Sequence, residues 1–161
     1  MRTNKPESKS STEPSLPELG CACATLRRCS RIVTQLYSNE MGDQLEPTQF
    51  ALLSALHSHP GCGQAPLGRA LGMDKTTLSR NLSLMNRNGW IEPASSGDLR
   101  EKGYQLTVAG TKLLTASKPG WQRAQQKLRN ELTADEWNVF VQAIDRVAAA
   151  AQKASSPSGR R

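Results

Sequence analysis

The residues with the clearest chemical character lie between Asp74 and Arg87. Lys75, Thr76, Thr77, Ser79, Arg80, Ser83 and Arg87 mix short hydroxyls with cations in this stretch. At helical spacing, about 100° per residue, Thr76, Arg80, Ser83 and Arg87 fall in one narrow sector. Leu78, Leu82 and Met85 fall in the opposite sector, and Lys75, Thr77, Ser79 and Asn81 lie between. One face of such a helix is a core and the other suits a polyanion. Ser and Thr hydroxyls can meet phosphate or a base edge, and Arg can pair in bidentate fashion with guanine. A merely solvated helix face is the competing interpretation, and the surrounding elements must decide between them.

Other constellations offer less. His57 and His59 have no Asp or Ser placed for a triad, and there is no Gly-rich phosphate loop and no H-E-x-x-H. Asp135 and Glu136 read as helix-capping residues. No enzyme and no cofactor are expected. Cys21, Cys23, Cys29 and Cys62 lack the paired C-x-x-C spacing of a metal site, so no metal is expected. Cys21 and Cys23 precede Arg27, Arg28 and Arg31, cations that favour a thiolate. They are candidate redox residues, against the plainer alternative of small packing residues in a reducing cell. Cys29 shares a helical stripe with Leu26 and Val33, which predicts a core position.

The elements that position these residues follow from local signals. Leu26, Cys29, Val33 and Leu36 predict a first helix over about 22–39. A second runs from Glu46 or Pro47 to His57 and is closed by Pro60-Gly61. A third spans about 65–71 and ends at Gly72 in a left-handed position. Asp74 then caps a helix over Lys75–Arg87, with Met73 and Leu78 at the spacing of a hydrophobic staple. Two short helices joined by a tight Gly turn form a helix-turn-helix. Gly68, where the two helices cross, lets their axes approach. Gly89 ends the fourth helix, and residues 90–108 read as a β-hairpin with a charged tip, Tyr104, Leu106 and Val108 alternating on its second arm. At the tip, Arg100 and Lys102 are candidate phosphate contacts, and Asp98 is placed to orient a guanidinium. Thr107 caps a long helix that Pro119-Gly120 should bend. Thr133 and Glu136 form a capping box for a last helix striped by Trp137, Phe140, Ile144 and Val147.

The chain has 161 residues and a formal net charge of +7, compatible with a polyanion partner but weak evidence alone. No run of apolar residues is long enough for a membrane span, and the polar N-terminus has no signal-peptide core; a cytoplasmic location is expected. Residues 1–18 and 154–161 read as disordered tails. The fold class expected is mostly α with a small β-hairpin wing: a winged helix-turn-helix lobe over about 46–108, attached to dimerisation helices over about 21–39 and 108–150. The apolar stripes at both chain ends exceed what one small lobe can cover, which predicts a homodimer.

Together QFALLSAL (49–56), LGMDKTTLSRNL (71–82), RNGWI (87–91), DLR (98–100) and LTVAG (106–110) resemble the MarR family of winged-helix transcriptional regulators over about residues 21–150. The resemblance implies a homodimer on a pseudo-palindromic double-stranded DNA operator, with recognition helices in successive major grooves and wings at the minor groove or flanking backbone. It gives Arg80 and the Asp98/Arg100 pair DNA-facing roles. It also implies release from DNA by a small aromatic ligand or by cysteine oxidation. Pro66-Leu67-Gly68 departs from the family pattern and bears on the rigidity of the third helix. Tyr37, Phe50, His57 and Leu114 are candidate linings of a ligand pocket between dimer body and DNA-binding lobe. Two alternatives stay open: an oxidant-sensing repressor, and a dimeric winged-helix module that binds protein rather than specific DNA.

Overall fold

The computed structural model describes residues 20–94 and 103–155. Among these described residues, six helices and a two-stranded antiparallel sheet follow in the order α1 (Ala22–Met41), α2 (Pro47–Ser58), α3 (Gln64–Leu71), α4 (Lys75–Arg87), β1 (Ile91–Pro93), β2 (Tyr104–Leu106), α5 (Val108–Asn130) and α6 (Ala134–Ser155). The chain divides into two units, residues 1–33 and residues 34–161. Within the described part of the first, Cys21, Cys23 and Cys29 are all exposed. The core position expected for Cys29 is therefore corrected: no residue of α1 is buried. The helical stripe is present, but among the described residues it is only partly covered: Val33 and Leu36 are half-buried and Leu26 and Cys29 are exposed.

The second unit is built around Leu45, Phe50, Leu52, Leu53 and Leu56, joined by Leu67 from α3, Leu78, Leu82 and Met85 from α4, Ile91 from β1 and Leu114 from α5. Leu52, Leu53, Leu56 and Met85 are completely buried. Phe50 stacks on Trp121 with ring centroids 5.7 Å apart, tying α2 to α5.

The strands pair in the register Ile91↔Leu106, Glu92↔Gln105 and Pro93↔Tyr104. The second arm ends one alternation earlier than the sequence pattern implies. Thr107 leaves the strand to cap α5, its Oγ1 accepting from the Gly110 N–H at 3.0 Å. Val108 consequently starts the helix and is 74% exposed, whereas Tyr104 and Leu106 are half-buried. The same Thr107 hydroxyl donates to the Gly89 carbonyl at 2.6 Å. One side chain thus joins the end of the α4 segment to the start of α5.

Helix α5 runs unbroken through Pro119. Proline removes one intrahelical hydrogen bond, but buried Ser117, Gly120 and Ala124 hold this stretch in the fold. Gly120 serves a close approach: a Cβ there would sit 2.6 Å from the Glu40 carbonyl oxygen at the end of α1. Beside it, Arg123 Nε lies 3.3 Å from Glu40 Oε2, and Lys127 pairs with Glu40 Oε1. Those partners, the Lys127 hydrogen bond foremost, hold the Glu40 carboxyl below its ordinary range. α6 opens on the expected capping box, Glu136 N–H donating to Thr133 Oγ1 and Thr133 N–H to Glu136 Oε2. None of its residues is buried.

Candidate nucleic-acid interface

Helix α4 begins where Gly72 turns the chain with φ of 62°, a left-handed conformation that suits glycine. Asp74 then closes the N-terminus. Its Oδ1 accepts from the Thr76 and Thr77 N–H groups, each at 2.9 Å, and its Oδ2 from the Thr77 hydroxyl at 2.6 Å. The Thr77 hydroxyl bond, with the backbone N–H donors behind it, lowers the Asp74 carboxyl from its usual range. Helix α3 crosses close by. A Cβ on Gly68 would lie 3.1 Å from the Met73 carbonyl oxygen and 3.4 Å from Leu78 Cδ2. The glycine therefore sits in the tight crossing that the sequence suggested, where even a methyl would crowd the turn.

Inward, α4 buries Leu78, Leu82 and Met85, which fixes the rotation of the helix. Outward, Lys75, Thr76, Ser79, Arg80, Ser83, Leu84 and Arg87 line one shallow groove. Six of the seven residues predicted on α4 are thus brought together. The seventh, Thr77, is exposed, but its hydroxyl is engaged with the Asp74 carboxylate, so it acts on the cap. Leu84 is the groove residue that sequence reasoning missed. It stands four positions after Arg80, the same-face spacing that would have found it.

Backbone contacts hold the base of the wing. Gly61 N–H donates to the Tyr104 carbonyl at 3.0 Å, and Ala94 N–H to the Gly103 carbonyl at 3.0 Å. A Cβ on Gly103 would lie 2.1 Å from the Gly61 carbonyl oxygen, so the α2–α3 loop and the second arm touch backbone to backbone. On the sheet, Gln105 Nε2 donates to Glu92 Oε1 at 2.9 Å. Asp98, Arg100 and Lys102, expected at the tip, lie outside the described residues.

The four candidate pocket residues are placed differently from one another. Phe50 and Leu114 belong to the central core. Tyr37, at the α1 end of the second unit, is half-buried and donates its hydroxyl to Gln125 Oε1; burial raises its pKa. His57 is exposed in the last turn of α2. Among the described residues, no group of three or more His, Cys, Asp or Glu side chains is arranged to hold a metal ion. None of the described helices is long and apolar enough to cross a membrane.

Comparisons with known proteins bear on the same region. A model of the MarR family matches residues 43–101, from the loop before α2 into the wing. The transcriptional regulator HosA of Escherichia coli O157:H7 is 29% identical over 120 residues, covering 74% of this chain and 88% of that protein. The PcaV transcriptional regulator from Streptomyces coelicolor, solved in complex with its natural ligand, superposes with a TM-score of 0.76 at 26% identity, covering 86% of this chain and 99% of that one. The M. tuberculosis transcriptional regulator MosR, solved in complex with DNA, superposes with a TM-score of 0.75 at 29% identity, covering 84% and 98%.

Proposed function

We propose that this chain, similar over residues 43–101 to the MarR family and over most of its length to DNA-binding transcriptional regulators, is a homodimeric repressor of a pseudo-palindromic operator, released by a small ligand. The observation that carries the DNA reading is the exposed groove on α4, with Arg80 and Arg87 among short hydroxyls and a fully apolar opposite face. The buried face sets the rotation of the helix, so the hydroxyls and guanidiniums are presented to a major groove without reorganisation. Arg80 is assigned base readout. Lys75, Thr76, Ser79, Ser83 and Arg87 are assigned phosphate or base-edge contacts, and Thr77 supports the cap. At the wing, Arg100 and Lys102 would meet the flanking backbone, with Asp98 orienting Arg100.

The dimer is supported by the apolar surface left uncovered on α6, where Val139, Phe140, Val141, Ile144 and Val147 are all exposed. A stripe of that length on a helix with no buried residue favours a second subunit. Ligand release is supported by analogy with PcaV, which binds a natural ligand. Tyr37 and His57 are the accessible candidates for ligand contact, with Phe50 and Leu114 behind them. Such a ligand must bind the DNA-incompetent state more tightly, or it shifts no population. A second reading, oxidant sensing, is favoured by one specific observation: Cys21 and Cys23 are both exposed.

The test is an operator recovered by selecting genomic fragments, compared with a shuffled duplex at fixed salt. Arg80→Ala should cut the operator-to-shuffled affinity ratio by about 10- to 100-fold, because a bidentate base contact contributes about 1–3 kcal/mol of discrimination. Equal binding of the unaltered protein to both duplexes refutes sequence-specific recognition. No enriched fragment, with salt-independent binding to a protein partner, favours the interaction module instead.

A further inference from the structure

Among the described residues lining the outer groove of α4, Leu84 alone carries no polar atom. The other six, Lys75, Thr76, Ser79, Arg80, Ser83 and Arg87, are all polar and all exposed. The core does not account for Leu84. α4 turns Leu78, Leu82 and Met85 inward. Leu84 belongs neither to the cluster they join nor to the partly buried apolar side chains packed against that cluster. At about 100° per residue it lies about 120° from Leu78 and about 40° from Arg80 around the helix axis. It is half-buried, so part of its apolar surface is left to the groove.

Leucine neither donates nor accepts a hydrogen bond, and a phosphate offers it nothing. Against the major-groove edge of adenine, guanine or cytosine it would strip water from a donor or acceptor and return no bond, which is unfavourable. Thymine alone presents an apolar group there, its C5-methyl. Arg80 stands one turn earlier on the same face, and side chains at that spacing are about 5–6 Å apart. Base pairs follow one another at about 3.4 Å. A base met by Leu84 is therefore one or two steps from a guanine met by Arg80.

We propose that Leu84 is a specificity-determining residue that reads a thymine methyl in each half-site, one or two base pairs from the guanine paired with Arg80. The proposal rests on the DNA-binding reading above and extends it from hydrogen-bonded readout to apolar readout in the same groove. Closing the leucine against the methyl removes both from water. That favours thymine even over uracil, which has the same hydrogen-bonding groups.

The experiment uses the operator selected from genomic fragments. Each thymine of the half-site is replaced in turn by deoxyuridine, in both half-sites together, so that the dimer's two contacts change alike. The exchange removes the C5-methyl and keeps the pairing and the O4 acceptor. At one thymine, within two base pairs of the position where Arg80→Ala relaxes discrimination, the affinity of the unaltered protein should fall about 16-fold, or about fourfold per half-site for the loss of one buried methyl. A Leu84→Ala protein should bind the thymine operator more weakly, lose no further affinity on that exchange, and bind a shuffled duplex as the unaltered protein does. Indifference of the unaltered protein to every exchange overturns the proposal, and that result needs no variant to fold. A Leu84→Ala protein that keeps the full penalty, or that loses affinity equally on both duplexes, also overturns it. Equal binding of the unaltered protein to operator and shuffled duplex refutes the DNA-binding reading itself, which separates the two failures.

Discussion

Gly110→Ala tests how the wing is joined to the long helix. Gly110 is the third residue of α5, and a Cβ built on it would lie 1.9 Å from the Trp90 carbonyl oxygen and 2.8 Å from the carbonyl carbon. In an open helix, replacing Gly by Ala stabilises by about 1 kcal/mol. Here the methyl collides with backbone and not with a side chain that could turn away. Relief requires Trp90 and α5 to separate by more than an ångström. That motion pulls on the Thr107 N–H bond to the Trp90 carbonyl (3.1 Å), the Thr107 hydroxyl bond to Gly89 (2.6 Å) and the Gly110 N–H bond to Thr107 (3.0 Å). Overpacking costs about 1–3 kcal/mol and loss of an N-cap about 1 kcal/mol. After subtracting the propensity gain, the net destabilisation is roughly 1–3 kcal/mol. For a chain of this size that lowers Tm by roughly 3–9 °C. The assay is thermal unfolding by circular dichroism at one fixed protein concentration, because a dimer's Tm depends on it. Ala116→Gly, on an exposed position of the same helix, calibrates the propensity contribution and should destabilise by about 1 kcal/mol. A Gly110→Ala protein with an unchanged or higher Tm refutes the backbone-contact argument.

Two further outcomes are expected. Asp74, Glu40 and Glu136 all have folded pKa values below their ordinary ones. The stability they contribute is present above the unfolded carboxylate range, near pH 4, and is lost as pH falls through their lower folded values. An Asp74→Asn/Glu40→Gln/Glu136→Gln protein should therefore show a flatter Tm-against-pH curve below about pH 4 in a scan from pH 6 to pH 2; parallel curves would exclude these contacts as a source of acid lability. For oxidant sensing, mild peroxide should release the operator from the unaltered protein and not from a Cys21→Ser/Cys23→Ser variant, read by an operator-binding titration; equal retention in both removes the redox reading under those conditions.

Much of the candidate interface was legible in the sequence because its determinants are local. The Asp74 cap, the Leu78/Leu82/Met85 stripe and the Gly72 turn act within a few residues of one another, and α4 has the predicted bounds, Lys75–Arg87. The opposing Arg80 face follows once the stripe fixes the rotation. Where a local signal named the element but not its surroundings, the outcome depended on tertiary structure. Cys29 and Val108 carry apolar periodicity, yet both are exposed, since periodicity gives a face and not what covers it. Thr77 and Thr76 are alike in type, and the cap geometry separates their roles.

The order of the helices, the capped helix α4 and its two faces all arise from contacts spanning a few residues, and so could be read before the fold was known. Which glycines stand against another element's backbone became visible with the folded chain. Gly103 meets Gly61, Gly110 meets Trp90 and Gly120 meets Glu40, and each of these pairs joins residues distant along the chain. A glycine's type permits a close approach, and the partner is known only once the chain has folded back.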